Sequence, residues 1–368
     1  MSSSFAPLPF YPGPVSVPQD IREVLSKDYG PPRTSPEFLA QHNACTQNLK
    51  HIIGTQNDVI ISTGEAMAGL WGALKSTLLP NNSVLTIGTG VFGDGFADMA
   101  RLLGCSVTQL SFPYDTTLTA DHLIQIETAI SETKPVAIIM VHCETPSGTL
   151  NPLAEVGALK KKYIVPLFMV DCVSSMGGAP IHADQCHIDI CMGGSQKCFA
   201  CPADLSILSV SDFAWQRIHT VNYVGYDSLL PFKEVKKNAS HFPYTPLWPS
   251  IAALHKATSN LSEEGLDTVF GRHQQVSAAC IAGLQNLGIR LFPLPNAISS
   301  PTVTAAYIPE GFTSEKWRSH LYSAGLVVGG SLGPMKETVF RMGHMGPQAD
   351  MPRLEKALAV IRQTLLRR

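Results

Sequence analysis

Five short runs rich in β-branched and other apolar residues, DVIIST (58–63), SVLTIGTG (83–90), PVAIIMVHCE (135–144), VPLFMVDC (165–172) and IDICMGGS (188–195), alternate with stretches of helical character. Strands spaced by helix-length segments join as βα units around a parallel sheet. Several of these runs are apolar throughout, the pattern of strands covered by helices on both faces. The sequence therefore predicts an α/β fold built on a buried, mostly parallel sheet. Ligands of such sheets sit at the carboxyl ends of the strands, so the polar residues that close the runs are the first candidates for a site.

A chain of 368 residues is long enough for a large domain and a smaller one. After about residue 255 the texture changes. A long helical stretch (251–288) leads into a strand (302–308), a helix (314–324), a strand (325–330), VFRMGHMG and a last helix from Met351. The expected layout is an N-terminal arm (1–20), a large ligand-binding domain (21–255) and a small α+β domain (256–368). Prolines at 7, 9, 12, 14 and 18 argue against regular structure in the arm.

A net charge of −2 provides no field to gather nucleic acid or anionic membrane. No run approaches the roughly 20 apolar residues of a membrane span. The opening MSSSFAPLPFYPGP has no basic region followed by an apolar core, so the chain is expected in the cytoplasm. Its nine cysteines are scattered, and the one C-x-x-C, Cys198 to Cys201, has no second ligand pair. Free thiols are expected, with no metal site.

Three strand-closing positions carry possible chemistry: Asp171 after VPLFMV, Lys197 after IDICMGGSQ, and Thr63-Gly64-Glu65 after DVIIS. A lysine in a partly desolvated pocket becomes a nucleophilic amine, the route to Schiff-base lysines. A buried aspartate on a neighbouring strand can keep a pyridine nitrogen protonated, making the ring an electron sink. By spacing alone, a lysine snorkelling from a strand end and a capping aspartate fit these positions as well.

The stretches PGPV (12–15), RTSPEF (33–38), GVFGDGFADMA (90–100), HCETPSGTLNPL (142–153), VDCVSSMGG (170–178), SQKCFACPADL (195–205), FPYTP (242–246) and FRMGHMG (340–346) resemble, in order, the class V group of fold-type I pyridoxal-phosphate aminotransferases. The group includes the alanine-glyoxylate and serine-pyruvate enzymes. The resemblance implies a seven-stranded, mostly parallel sheet flanked by helices, a homodimer with shared active sites, and small amine and 2-oxo acid substrates. It assigns Lys197 the Schiff base and the proton relay, Asp171 the pyridine nitrogen, Phe92 a stacking place on the ring and Thr145 the ring hydroxyl. It places Thr63, Gly64, Glu65, Gln196, Phe242 and Thr245 around the phosphate, the last two from the partner subunit. Arg341 takes the substrate carboxylate, and Tyr11 and Gly13 line the mouth. His142, His241 and His344 lie near these motifs without metal-ligand spacing.

Two positions depart from the phosphate-binding pattern. Glu65 brings a carboxylate to the helix start where relatives hold a phosphate, and like unit charges 4 Å apart cost about 4 kcal/mol at an effective dielectric near 20. Phe242 stands where the family has a tyrosine that reaches a phosphate oxygen. Both features resemble the pyridoxamine-pyruvate branch, in which unphosphorylated pyridoxal is a substrate and not a bound cofactor. Leu332 departs from that branch, which has a second arginine at this place, and Gln196 follows the phosphate-binding branch. The leading expectation is transfer of the amino group of pyridoxamine to pyruvate. The alternative is pyridoxal-phosphate-dependent alanine or serine transamination with glyoxylate or pyruvate. A lyase or desulfurase is less favoured, since no cysteine follows Cys280 to serve as a mobile nucleophile.

Overall fold

The structure is a computed structural model and describes residues 7–366. The arm begins with β1 (Leu8–Phe10). Then come β2 (Asp58–Thr63), β3 (Ser83–Gly88), β4 (Ser106–Ser111) and β5 (Ala137–Val141), followed by a two-residue hairpin of β6 (Cys143–Glu144) and β7 (Thr149–Leu150). The chain continues through β8 (Leu167–Asp171), β9 (Ile190–Gly194) and β10 (Leu205–Val210) to β11 (Val303–Tyr307), β12 (Leu326–Gly330) and β13 (Val339–Gly343).

The large sheet has seven strands in the order β2-β10-β9-β8-β5-β3-β4. Only β10 runs against its neighbours, pairing antiparallel with both β2 and β9. Every residue of β5, β8, β9 and β10 is buried, as expected of central strands covered on both faces. The carboxyl ends of β2, β3, β5, β8 and β9 consequently open on the same edge of the sheet, which is where the candidate residues cluster.

A second sheet, in the order β1-β12-β13-β11, carries its own core of Phe10, Trp317, Phe340 and Met342. Two details correct the sequence reading. The expected single helix at 251–288 is two, Trp248–Glu264 and Leu266–Asn286, broken at Gly265, whose φ of +83° suits a residue without a Cβ. The arm was expected to be irregular, yet Leu8–Phe10 pairs in parallel with Leu326–Val328. Prolines tolerate this place because β1 is an edge strand, where a missing N–H breaks no inner ladder. Among the described residues no helix is long and apolar enough to cross a membrane.

Phe10 has no exposed surface, so it anchors the arm to the small sheet. Phe10→Ala is expected to cost about 3–5 kcal/mol, read as a lowered midpoint in urea unfolding.

Candidate active site

A cavity of about 180 Å³ opens at the carboxyl edge of the large sheet. Its walls include Glu65 from the β2 end, Phe92 from the β3 end, Thr145 from the β5 side, Asp171 from β8 and Gln196 and Lys197 from the β9 end, with Gly13 of the arm. Adjacent strands β9, β8 and β5 thus place Lys197, Asp171 and Thr145 side by side, though the chain separates them widely.

Lys197 lies over Gly13. A Cβ there would stand 2.4 Å from Lys197 Cδ and 2.9 Å from Nζ, and Gly13 has φ +90°. Only glycine fits on both counts. Nζ donates to the Pro12 carbonyl at 2.6 Å, a neutral partner that stabilises an ammonium less than a carboxylate would. Burial, followed by the charge of Arg341, lowers the lysine to about 8, which makes the amine accessible near neutral pH.

Asp171 closes β8 and is buried. Its Oδ1 accepts from Val173 N–H at 2.8 Å, while no other hydrogen bond to this carboxylate occurs among the described residues. Burial raises it to about 6, against the opposing pull of that N–H and of Lys197. It is therefore mostly ionised at pH 7, with an oxygen available to a cationic N–H. Thr145 Oγ1 and Ser174 Oγ share a hydrogen bond at 2.5 Å.

Glu65 is the N-cap of the helix Ala66–Thr77, its Oε2 accepting from Met67 N–H at 2.8 Å. Its Oε1 accepts from Gln196 Nε2 at 2.6 Å. The helix terminus that would attract a phosphate is thereby already served by a carboxylate. Gln196 Oε1 is buried without a protein partner, leaving one acceptor for a ligand hydroxyl or amine.

Arg341 lies on β13, outside the cavity wall, beside Gly329 and the arm. Its Nε donates to Gly330 O at 2.7 Å, and burial lowers it to about 10. Among the described residues it joins no ion pair with a carboxylate. Tyr11 of the arm lies near this guanidinium.

Other expected residues lie apart from the walls. Thr63 and Gly64 precede the cap, and the Thr63 N–H donates to Tyr244 Oη at 2.9 Å. Phe242, expected at the partner subunit's site, packs its ring among Phe38, His42 and Phe232 within its own chain, where an apolar ring gains from the aromatic cluster. Thr245 is exposed. His142 and His344 are buried and hydrogen-bonded to Ser175 and Thr304, and His241 is exposed. Among the described residues no group of three or more His, Cys, Asp or Glu could hold a metal ion.

Sequence reasoning missed Ser174 and Cys143 in the walls, although both sit in the quoted motifs. It also missed the Pro12 carbonyl, which no side-chain pattern reveals. Tyr244, two residues beyond Phe242, was a polar aromatic within FPYTP and a readable signal.

Capture of pyridoxal by the amine, followed by absorbance, should rise with pH to a midpoint at about 8, because only the neutral form attacks. Gly13→Ala should slow that capture by about a hundredfold through displacement of the lysine.

Residues 14–330 match the family described as Aminotransferase class-V. An uncharacterized aminotransferase of Methanocaldococcus jannaschii is 34% identical over 91% of this chain and 86% of its own. An alanine-glyoxylate aminotransferase of Callithrix jacchus is 31% identical over 87% and 78%. The crystal structure of pyridoxamine-pyruvate aminotransferase from Mesorhizobium loti superposes with a TM-score of 0.92 at 26% identity, covering 99% of this chain and 93% of that one. With an amine, a carboxylate and an aromatic wall gathered at the strand ends of the matching fold, the chain belongs to the class-V aminotransferases, enzymes that transfer amino groups.

Proposed function

We propose that this aminotransferase uses unphosphorylated pyridoxamine as its amino donor and pyruvate as acceptor, giving pyridoxal and alanine. The observation that carries the reading is Glu65 at the start of the helix Ala66–Thr77, hydrogen-bonded to Met67 N–H and Gln196 Nε2. A phosphate there would meet a carboxylate and lose the amide donor of Gln196. The ring portion fits without such conflict: Phe92 forms one wall and Asp171 another.

A pyridoxal ring, when bound, supplies the electron sink for the carbon that loses its proton. Lys197 Nζ is the nucleophile toward the aldehyde and, once free, the base that moves the proton. Asp171 holds the proton of the ring nitrogen, and Thr145 faces the ring hydroxyl. Glu65 accepts the hydrogen bond of the ring's hydroxymethyl group. Arg341 offers its unpaired fork to the carboxylate of the 2-oxo acid. Leu332, 40% exposed, offers no second guanidinium, so one arginine serves the acid. Two copies share their sites in this reading, with Thr245, exposed on its own chain, reaching the site of the other copy. The described cysteines are all free, which suits a reducing cytoplasm.

The second reading, phosphate-dependent alanine or serine transamination with glyoxylate or pyruvate, draws support from the residue type of Gln196 and from the alanine-glyoxylate relative.

Equilibrium titration with pyridoxal and with its phosphate separates the two. The proposal expects pyridoxal to bind at least about tenfold more tightly, a difference of about 1.4 kcal/mol; phosphorylated cofactor retained through purification and dialysis would overturn it. Glu65→Ser should shift the preference toward the phosphate by about tenfold or more, as removal of a repulsive charge predicts. Lys197→Ala should capture neither compound covalently.

A further inference from the structure

Glu144 has no part in the chemistry above. It is the last residue of β6, next to the cavity residue Thr145, and has no exposed surface. Its Oε1 accepts from Gly93 N–H at 2.6 Å and its Oε2 from Phe92 N–H at 3.3 Å. These donors belong to the first turn of the helix Val91–Leu102, whose N-cap, Gly90, brings no side chain of its own. A Cβ on Gly90 would stand 2.4 Å from Glu144 Cδ, and one on Gly93 3.1 Å from Oε1. The two glycines therefore shape a recess that the carboxyl group fills.

A serine or aspartate at the N-cap is the usual and inexpensive device, but Gly90 is buried and a Cβ there would meet Glu144. Burying a carboxyl group instead is expensive even when it is hydrogen-bonded, and burial does push Glu144 up to about 8, with Asp171 and Asp94 adding to the rise. What the costly arrangement achieves is a bridge between two elements: the helix that bears Phe92 and the strand that leads into Thr145. Both residues are cavity walls.

We propose that Glu144 is a positioning residue, which clamps the first turn of the helix Val91–Leu102 to β6 and so fixes the Phe92 ring against a flat aromatic ligand in the cavity. The proposal rests on the reading of the cavity as a pyridoxal site. It predicts that Glu144 acts through Phe92, which a general contribution to folding would not do.

The test is a double-mutant cycle on pyridoxal affinity, measured by absorbance titration, with thermal melts to establish that each variant is folded. Glu144→Ala and Phe92→Ala should each weaken binding by about tenfold, the range of a stacking contact and its preorganisation. The double variant should bind as Phe92→Ala does, within about twofold. Glu144→Gln keeps one acceptor and should fall between wild type and Glu144→Ala; it replaces the alanine variant in the cycle should that one not fold. Losses that multiply in the double variant, or unchanged affinity in a folded Glu144→Ala or Glu144→Gln, would overturn the proposal. Unchanged affinity in Phe92→Ala would overturn it while leaving the site reading intact, because Lys197 still captures the aldehyde. Absence of capture by the wild type would remove the site reading and this proposal together.

Discussion

An ammonium group withdrawn from water and given only a peptide carbonyl for company is the arrangement on which the site depends. Lys197 donates to Pro12, and the charge that acts on it most strongly, Arg341, is of like sign. Desolvation and that repulsion favour the neutral amine, while the carbonyl orients it. A carboxylate partner would have held the lysine charged and unreactive. The geometry of the arm follows from this requirement: the chain must pass close beneath the lysine stem, which Gly13 permits.

The sheet explains how residues so far apart in sequence come to share one cavity. With β10 as the only reversed strand, the ends of the other six strands point the same way, and five of them each lead to a residue of the wall. The same edge gathers carboxyl groups: burial raises Asp171 and Glu144 and disfavours their charged forms, and Glu65 sits at a helix start. The two buried ones are held by peptide N–H donors, so part of their desolvation cost is met by fixed dipoles.

Much of this was legible in the sequence. Uninterrupted apolar runs announced the buried strands, and Lys197 and Asp171 were visible because a charged residue closing such a run is unusual. Glu65 was legible for the same reason, at the start of an otherwise apolar helix. The break at Gly265 was not, since one glycine in a helical pattern can be tolerated or can end the helix. The strand at Leu8–Phe10 was hidden by prolines, and only its place at a sheet edge makes it possible. The packing of Phe242 was not legible, because a motif position does not determine which way a ring turns; the cluster of Phe38, His42 and Phe232 does. Glu144 was unreadable because its partners, Phe92 and Gly93, are more than fifty residues away.

The arm has one end in each sheet's territory. Leu8–Phe10 is a strand of the small sheet, and Val15 N–H donates to the Gln196 carbonyl beside the lysine at 3.0 Å. Between these fixed points lies the carbonyl that holds Lys197. The segment is a short tether of a few residues, so the acceptor beneath the amine is held from both sheets at once and its place depends on both.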